Sequence, residues 1–213
     1  MSSHAASHPQ DAHSNNPHAD YIGDKVGFWF FLYTELVLFG GLFLGYFFYH
    51  MKYKEAFHEA GSHLNVFMGA GNTVVLLTSS LTMVMSLTAL QRKQKGLSLF
   101  YLGLTILFAL AFMVVKYFEW GAKFSYGLYP GSEILQTQHS DGVVIFYGLY
   151  FVMTGTHGLH VVLGLIALSW MFVLVWQDKI HAGDYAYLEN VGLYWHLVDL
   201  IWIYLFPLLY LVA

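Results

Sequence analysis

Apolar positions along this chain come in long unbroken runs. They show neither the alternation of a half-buried strand nor the narrow stripe of a soluble amphipathic helix. Five runs are long enough to cross about 30 Å of hydrocarbon at about 1.5 Å of rise per residue. They cover residues 26–49, 64–90, 97–118, 142–176 and 191–212. The predicted fold is all-α, a polytopic membrane bundle of five transmembrane helices forming one domain over residues 25–213, with no internal repeat. The polar links carry most of the charge: Lys52, Lys54, Glu55 and Glu59 in the first, and Arg92, Lys93 and Lys95 in one tight basic turn. The link from Glu119 to Asp141 is the longest and contains Gly127, Pro130 and Gly131, and the last carries Asp178, Lys179 and His181.

Composition supports the membrane reading. Hydrophobic residues make up 57% of the 213 positions and charged residues only 10%, against about 25% charged in a soluble domain. A soluble chain of this balance would expose far more apolar surface than such proteins tolerate. There is no cysteine, which removes disulfides and thiolate or iron–sulfur ligation. A formal net charge of -4 with no basic patch argues against a nucleic-acid partner. Residues 1–24 are polar, with His4, His8, His13 and His18, and lack the layout of a secretory signal. A solvated, disordered tail is expected there, with weak metal binding by the histidines as the sharper alternative. The basic turn at Arg92 favours a cytoplasmic N-terminus and an external C-terminus.

Ionisable groups inside a bilayer are costly, so each needs a reason. Glu35 lies about 15 Å into the first helix. His157 and His160 share a face of the fourth helix, and His196 and Asp199 repeat that spacing on the fifth, ring within reach of carboxylate. Three helices thus carry polar groups at similar depths, and these faces are expected to turn inward or toward a partner subunit. Asn72, Thr73, Ser79 and Ser80 on the second helix can add hydrogen bonds of about 0.6–2 kcal/mol each. Glu119, beside Trp120 at the exit of the third helix, is expected to be an interfacial anchor. Gly40, Gly41, Gly45, Gly155, Gly158 and Gly164 are expected at close helix contacts.

Two chemistries compete for the histidines. Imidazoles in a helical bundle commonly ligate haem, but His157 and His160 sit too close together to serve two stacked haems, and a single haem would need His196 opposite. A zinc or copper site would want three ligands and an open position. Structural hydrogen bonding to Thr154, Asp199 or backbone is the expectation. For Glu35, an inert hydrogen-bonded carboxyl and a proton-exchanging site stand level.

Four strings go further. Gly27-Phe-Trp-Phe-Phe-Leu-Tyr-Thr-Glu35 resembles the opening helix of the short, five-helix form of subunit III of haem-copper terminal oxidases (the cytochrome c oxidase subunit III family), including its in-membrane carboxylate. Asn72-Thr-Val-Val-Leu-Leu-Thr-Ser-Ser80 is similar to its second shared helix, and Phe151-Val-Met-Thr-Gly-Thr-His-Gly-Leu-His-Val161 to its most recognisable string. Tyr194-Trp-His-Leu-Val-Asp-Leu-Ile-Trp202 resembles its closing motif. The four occur in the family's order.

The resemblance implies a non-catalytic subunit with no catalytic, cofactor-binding or metal residues of its own. Haems and copper would lie in partner subunits I and II, with a further small subunit a possible companion. This chain would dock on subunit I in a bacterial-type plasma membrane, support turnover and proton uptake, and border an oxygen route. Glu35, His157, His160, His196 and Asp199 would be the family's polar positions, and Glu119 the acid of its Glu-aromatic pair. Two departures stand out. Lys116 replaces a glutamine common in the family, and two N-terminal helices that enclose a lipid-filled cleft in the longer form are absent. The cleft lipids are therefore not carried over and another subunit is expected in that space, while bound phospholipid elsewhere on the chain stays a candidate, with membrane lipid as a partner.

Glu35, where quinol-oxidase versions tend to have aspartate, favours cytochrome c over quinol as donor. An accessory subunit of a nitric-oxide reductase is a further alternative. From other classes come a stand-alone membrane cytochrome b, using His157 or His160 with His196, and a proton-coupled transporter using Glu35. The last lacks the broken helices and repeats such carriers show.

Overall fold

The computed structural model describes residues 17–212. His4, His8 and His13 of the expected tail lie outside the described residues. The elements in chain order are α1 (Pro17–Lys52), α2 (Lys54–Ser62), α3 (Val66–Gln91), α4 (Lys95–Ser125), α5 (Glu133–Gln138), α6 (Asp141–Trp176) and α7 (Ala186–Tyr210). Five of these, α1, α3, α4, α6 and α7, are long and apolar enough to cross a membrane. They are the five that the apolar runs predict. Helix α1 begins at Pro17, upstream of the expected residue 26, and α4 continues through Glu119 to Ser125. The short helices α2 and α5 lie in links that hydropathy leaves blank, because their polar residues carry no long apolar run.

Helices α3, α4, α6 and α7 form a closed ring, each packed on two neighbours, while α1 leans against α6, α7 and α2. Small and hydroxyl-bearing residues hold the ring together. Thr82 and Thr105 share a hydrogen bond of 2.8 Å between α3 and α4, and Ser86 donates to the Ser98 carbonyl at 2.9 Å. The Trp195 indole donates to Ser79 Oγ at 2.9 Å and the Trp202 indole to Thr73 Oγ1 at 3.1 Å, tying α7 to α3. Such bonds orient the two rings where lipid supplies no hydrophobic drive between helices.

Of the six glycines expected at helix contacts, two make them. A Cβ on Gly164 would meet the Trp195 ring at 2.7 Å, and one on Gly155 the Trp120 ring at 3.4 Å. At Gly40, Gly41, Gly45 and Gly158 it would meet nothing within 4 Å, which corrects the expectation for those four. The α1 glycines face away from the chain's own bundle. Near its C-terminal end, α1 is fastened by the Tyr46 hydroxyl, which donates to the Leu208 carbonyl at 2.8 Å. That carbonyl belongs to the last turn of α7, where helix geometry leaves it without an intrahelical partner.

Candidate functional site

Two carboxyl groups organise the interior. Glu35, midway along α1, meets His160 of α6 with 2.7 Å between Oε2 and Nε2. The other ring nitrogen, Nδ1, lies 2.7 Å from the Thr156 carbonyl one turn back. A carbonyl only accepts, so Nδ1 carries a hydrogen. Nε2 and Oε2 therefore share one proton: a carboxylic acid donates to a neutral imidazole, or an imidazolium donates to a carboxylate. Both arrangements are neutral overall, which is how two ionisable groups can sit at mid-membrane depth at modest cost. Phe39 packs edge-on against the imidazole at 5.3 Å, and the Tyr194 hydroxyl donates to the His160 carbonyl at 3.2 Å. Glu35 thus has a hydrogen-bonding partner across the helix interface, on α6.

The second centre lies nearer the opposite end of the bundle. Glu119 is 4% exposed, a buried hub where an interfacial anchor was expected. Its Oε2 accepts from Lys116 Nζ at 3.0 Å, and its Oε1 accepts from the Tyr150 hydroxyl at 2.8 Å and also from the Tyr210 hydroxyl. Lys116 Nζ also donates to the Tyr210 oxygen at 2.9 Å and lies 4.7 Å from the centre of the Trp202 ring. Helices α4, α6 and α7 meet here, and both carboxylate oxygens are satisfied. Lys116 appears in the sequence as a departure from the family's glutamine, and Tyr150 and Tyr210 carry no motif at all. The available signal was Lys116 inside an apolar run with Glu119 three residues on, at its exit, an intrahelical ion pair by spacing.

The remaining predicted residues scatter around the ring. His196 Nδ1 lies 2.5 Å from Ser80 Oγ, so its partner is on α3 and the expected pairing with Asp199 does not form. Asp199 is 2% exposed, and neither of its oxygens meets a protein hydrogen-bond partner, although Ser79 and Ser80 lie in its surroundings. Thr154 donates to the Tyr150 carbonyl at 2.6 Å, leaving His157 without that expected partner. His157 is fully buried, packed edge-on to Phe112 at 5.7 Å and beside Trp202 at 5.3 Å. Neither its ring nitrogens nor the amide of Asn72 find a protein partner. Among the described residues no three histidines or carboxylates converge as metal ligands.

Comparison with known proteins places this arrangement. The family model described as cytochrome c oxidase subunit III matches residues 10–213. The chain is 30% identical to the haem-copper oxidase subunit I+III of Aeropyrum pernix over 92% of its length, while spanning 24% of that longer protein. It is 28% identical to the cytochrome bo(3) ubiquinol oxidase subunit 3 of Pseudomonas aeruginosa, covering 100% of this chain and 97% of the relative. It is likewise 28% identical to the cytochrome c oxidase subunit 3 of Synechocystis, covering 95% and 81%.

Proposed function

Because the chain belongs to the cytochrome c oxidase subunit III family, we propose that it is the non-catalytic subunit III of a proton-pumping haem-copper terminal oxidase. It docks on subunit I, stabilises it, and supports proton uptake while oxygen is reduced to water in the membrane of aerobic respiration. The redox chemistry is supplied by the haems and copper of partner subunits I and II. This chain's own residues position helices and hold a proton. The observation that carries the reading is the Glu35–His160 pair, which joins α1 to the ring through one shared proton at mid-membrane depth. A name that joins subunits I and III in one relative supports docking on subunit I. The outward glycines of α1 offer a close-approach surface for another membrane helix.

Cytochrome c is the proposed donor, on the ground that Glu35 resembles the cytochrome c versions of this subunit. Quinol is the second reading, favoured by the ubiquinol oxidase relative that aligns over the whole chain. The N-terminus is placed in the cytoplasm, with the turn at Arg92, Lys93 and Lys95 on the same side.

The test is to tag the chain, extract it in mild detergent and identify what co-purifies. A haem-copper subunit I, a subunit II and oxygen reduction are expected, and the kind of subunit II names the donor. Purification of the chain alone and colourless would overturn the reading; alone with a haem spectrum would favour a cytochrome.

A further inference from the structure

At the end of the bundle away from the start of α1, a cavity of about 310 Å³ opens between α2, the last turn of α4, the 126–139 link and the first turns of α6. Its lining includes Glu59, His63, Lys123, His139 and Tyr147. Two of these are buried polar groups with incomplete partnerships. Lys123 is 7% exposed and donates only to the His63 carbonyl, at 3.0 Å. Lys123 takes no part in the ion pairs Lys25–Glu189, Lys95–Asp178, Lys116–Glu119 and Glu35–His160. Glu119, one turn earlier, is the nearest charge of opposite sign on its own helix and is already committed to Lys116. Tyr147 is 1% exposed, its ring lies 5.8 Å from Lys123 Nζ, and its hydroxyl has no partner.

A buried ammonium whose nearest carboxylate, Glu119, is already bonded to Lys116 and a buried hydroxyl without an acceptor both call for an anion with several acceptor oxygens. The imidazoles of His63 and His139 add donors at the rim. Glu59 is the one carboxylate in the lining, and it is exposed at the mouth, where solvent screens its repulsion. Lys123 acts from the low-dielectric side, where attraction is strongest. We propose that this cavity is a binding site for a single phosphate group, held by Lys123 Nζ and the Tyr147 hydroxyl with His63 and His139 at the rim. Its place at the ends of two membrane helices, α4 and α6, puts it level with lipid headgroups. The phosphate then belongs to a membrane phospholipid or to free inorganic phosphate.

The experiment uses the tagged chain with whatever complex it carries, so its outcome is independent of the oxidase reading. Phospholipid retained per chain after exhaustive detergent washing is compared for the native sequence, Lys123→Gln and Tyr147→Phe. Delipidated protein is then titrated with inorganic phosphate against chloride at equal ionic strength, following the thermal midpoint. Loss of one phospholipid per chain in Lys123→Gln identifies a lipid headgroup. Unchanged lipid, with a phosphate-specific rise in midpoint that Lys123→Gln abolishes, identifies free phosphate. Tyr147→Phe removes only the hydroxyl and is expected to weaken the interaction roughly tenfold, so the test survives a Lys123 variant that fails to assemble. Equal lipid retention and no phosphate-specific rise in any of the three proteins overturns the proposal.

Discussion

Glu35 and Glu119 are both carboxyl groups inside the membrane-spanning region, yet their surroundings give them opposite characters. Glu119 accepts from an ammonium and two phenols, on three different helices, so every lone pair that matters is engaged. Glu35 has one side-chain partner, the imidazole of His160, and that partner can either take its proton or return it. A carboxylate surrounded by donors is held rigid and acts as a fastener. One that faces a single imidazole with a fixed tautomer can change state without changing net charge. Satisfaction of acceptors, more than depth in the membrane, separates the two.

Removing charge at the fastener should cost most. Glu119→Leu leaves Lys116 as an uncompensated buried charge and frees two phenols, an expected loss of about 3–5 kcal/mol. The result should be failure to accumulate or a collapsed thermal midpoint in detergent. The double variant Lys116→Met/Glu119→Leu should recover most of that loss, since the unpaired charge disappears with its partner. Equal instability of single and double variants would show that the phenols, and not the ion pair, hold the centre.

Gly164→Val probes the ring itself. The new side chain has to displace the Trp195 indole, at an expected cost of about 1–3 kcal/mol. Gly41→Ala on α1 meets nothing within the chain, so the isolated chain should be unchanged or slightly more stable. If Gly41→Ala nevertheless releases a co-purifying subunit, the outer face of α1 is a partner surface. Retention of every subunit would assign that face to lipid.

At the other carboxyl, Glu35→Gln keeps a donor facing His160 Nε2. Packing should hold to within about 1 kcal/mol, with the assembled complex intact, while proton uptake slows because the amide cannot release a proton. Unchanged proton kinetics in a fully assembled variant would reduce Glu35 to a fastener like Glu119. A smaller loss is expected from Ser80→Ala, which removes the His196 bond at a cost of about 0.6 kcal/mol, within reach of a careful thermal comparison.

The five membrane-length helices were legible because hydrophobic run length reports directly on bilayer thickness. The residues of the first centre were legible too, since a lone carboxyl and a histidine deep in apolar runs stand out. Their pairing was not, because Glu35 and His160 are 125 positions apart and no local spacing relates them. Local spacing misled at α7, where His196 and Asp199 share a face yet His196 turns to Ser80 on α3. It misled again on α1, whose glycines point away from the bundle. By hydropathy the third apolar run stops at Phe118, whereas α4 continues two more turns and carries Glu119 inside.

By itself, then, the sequence determined how many helices cross the membrane, which of their residues are chemically out of place there, and which family they resemble. All three are properties of one helix at a time, set by hydropathy, period and local motif. The tertiary structure alone decided which helix leans outside the ring, which histidine holds Glu35, and that Lys116, Tyr150 and Tyr210 converge on Glu119. Those outcomes depend on how helices rotate and slide against one another. Rotation and sliding are set by many weak contacts between positions far apart in the chain, among them Trp195 over Gly164, Trp202 on Thr73 and Thr82 on Thr105.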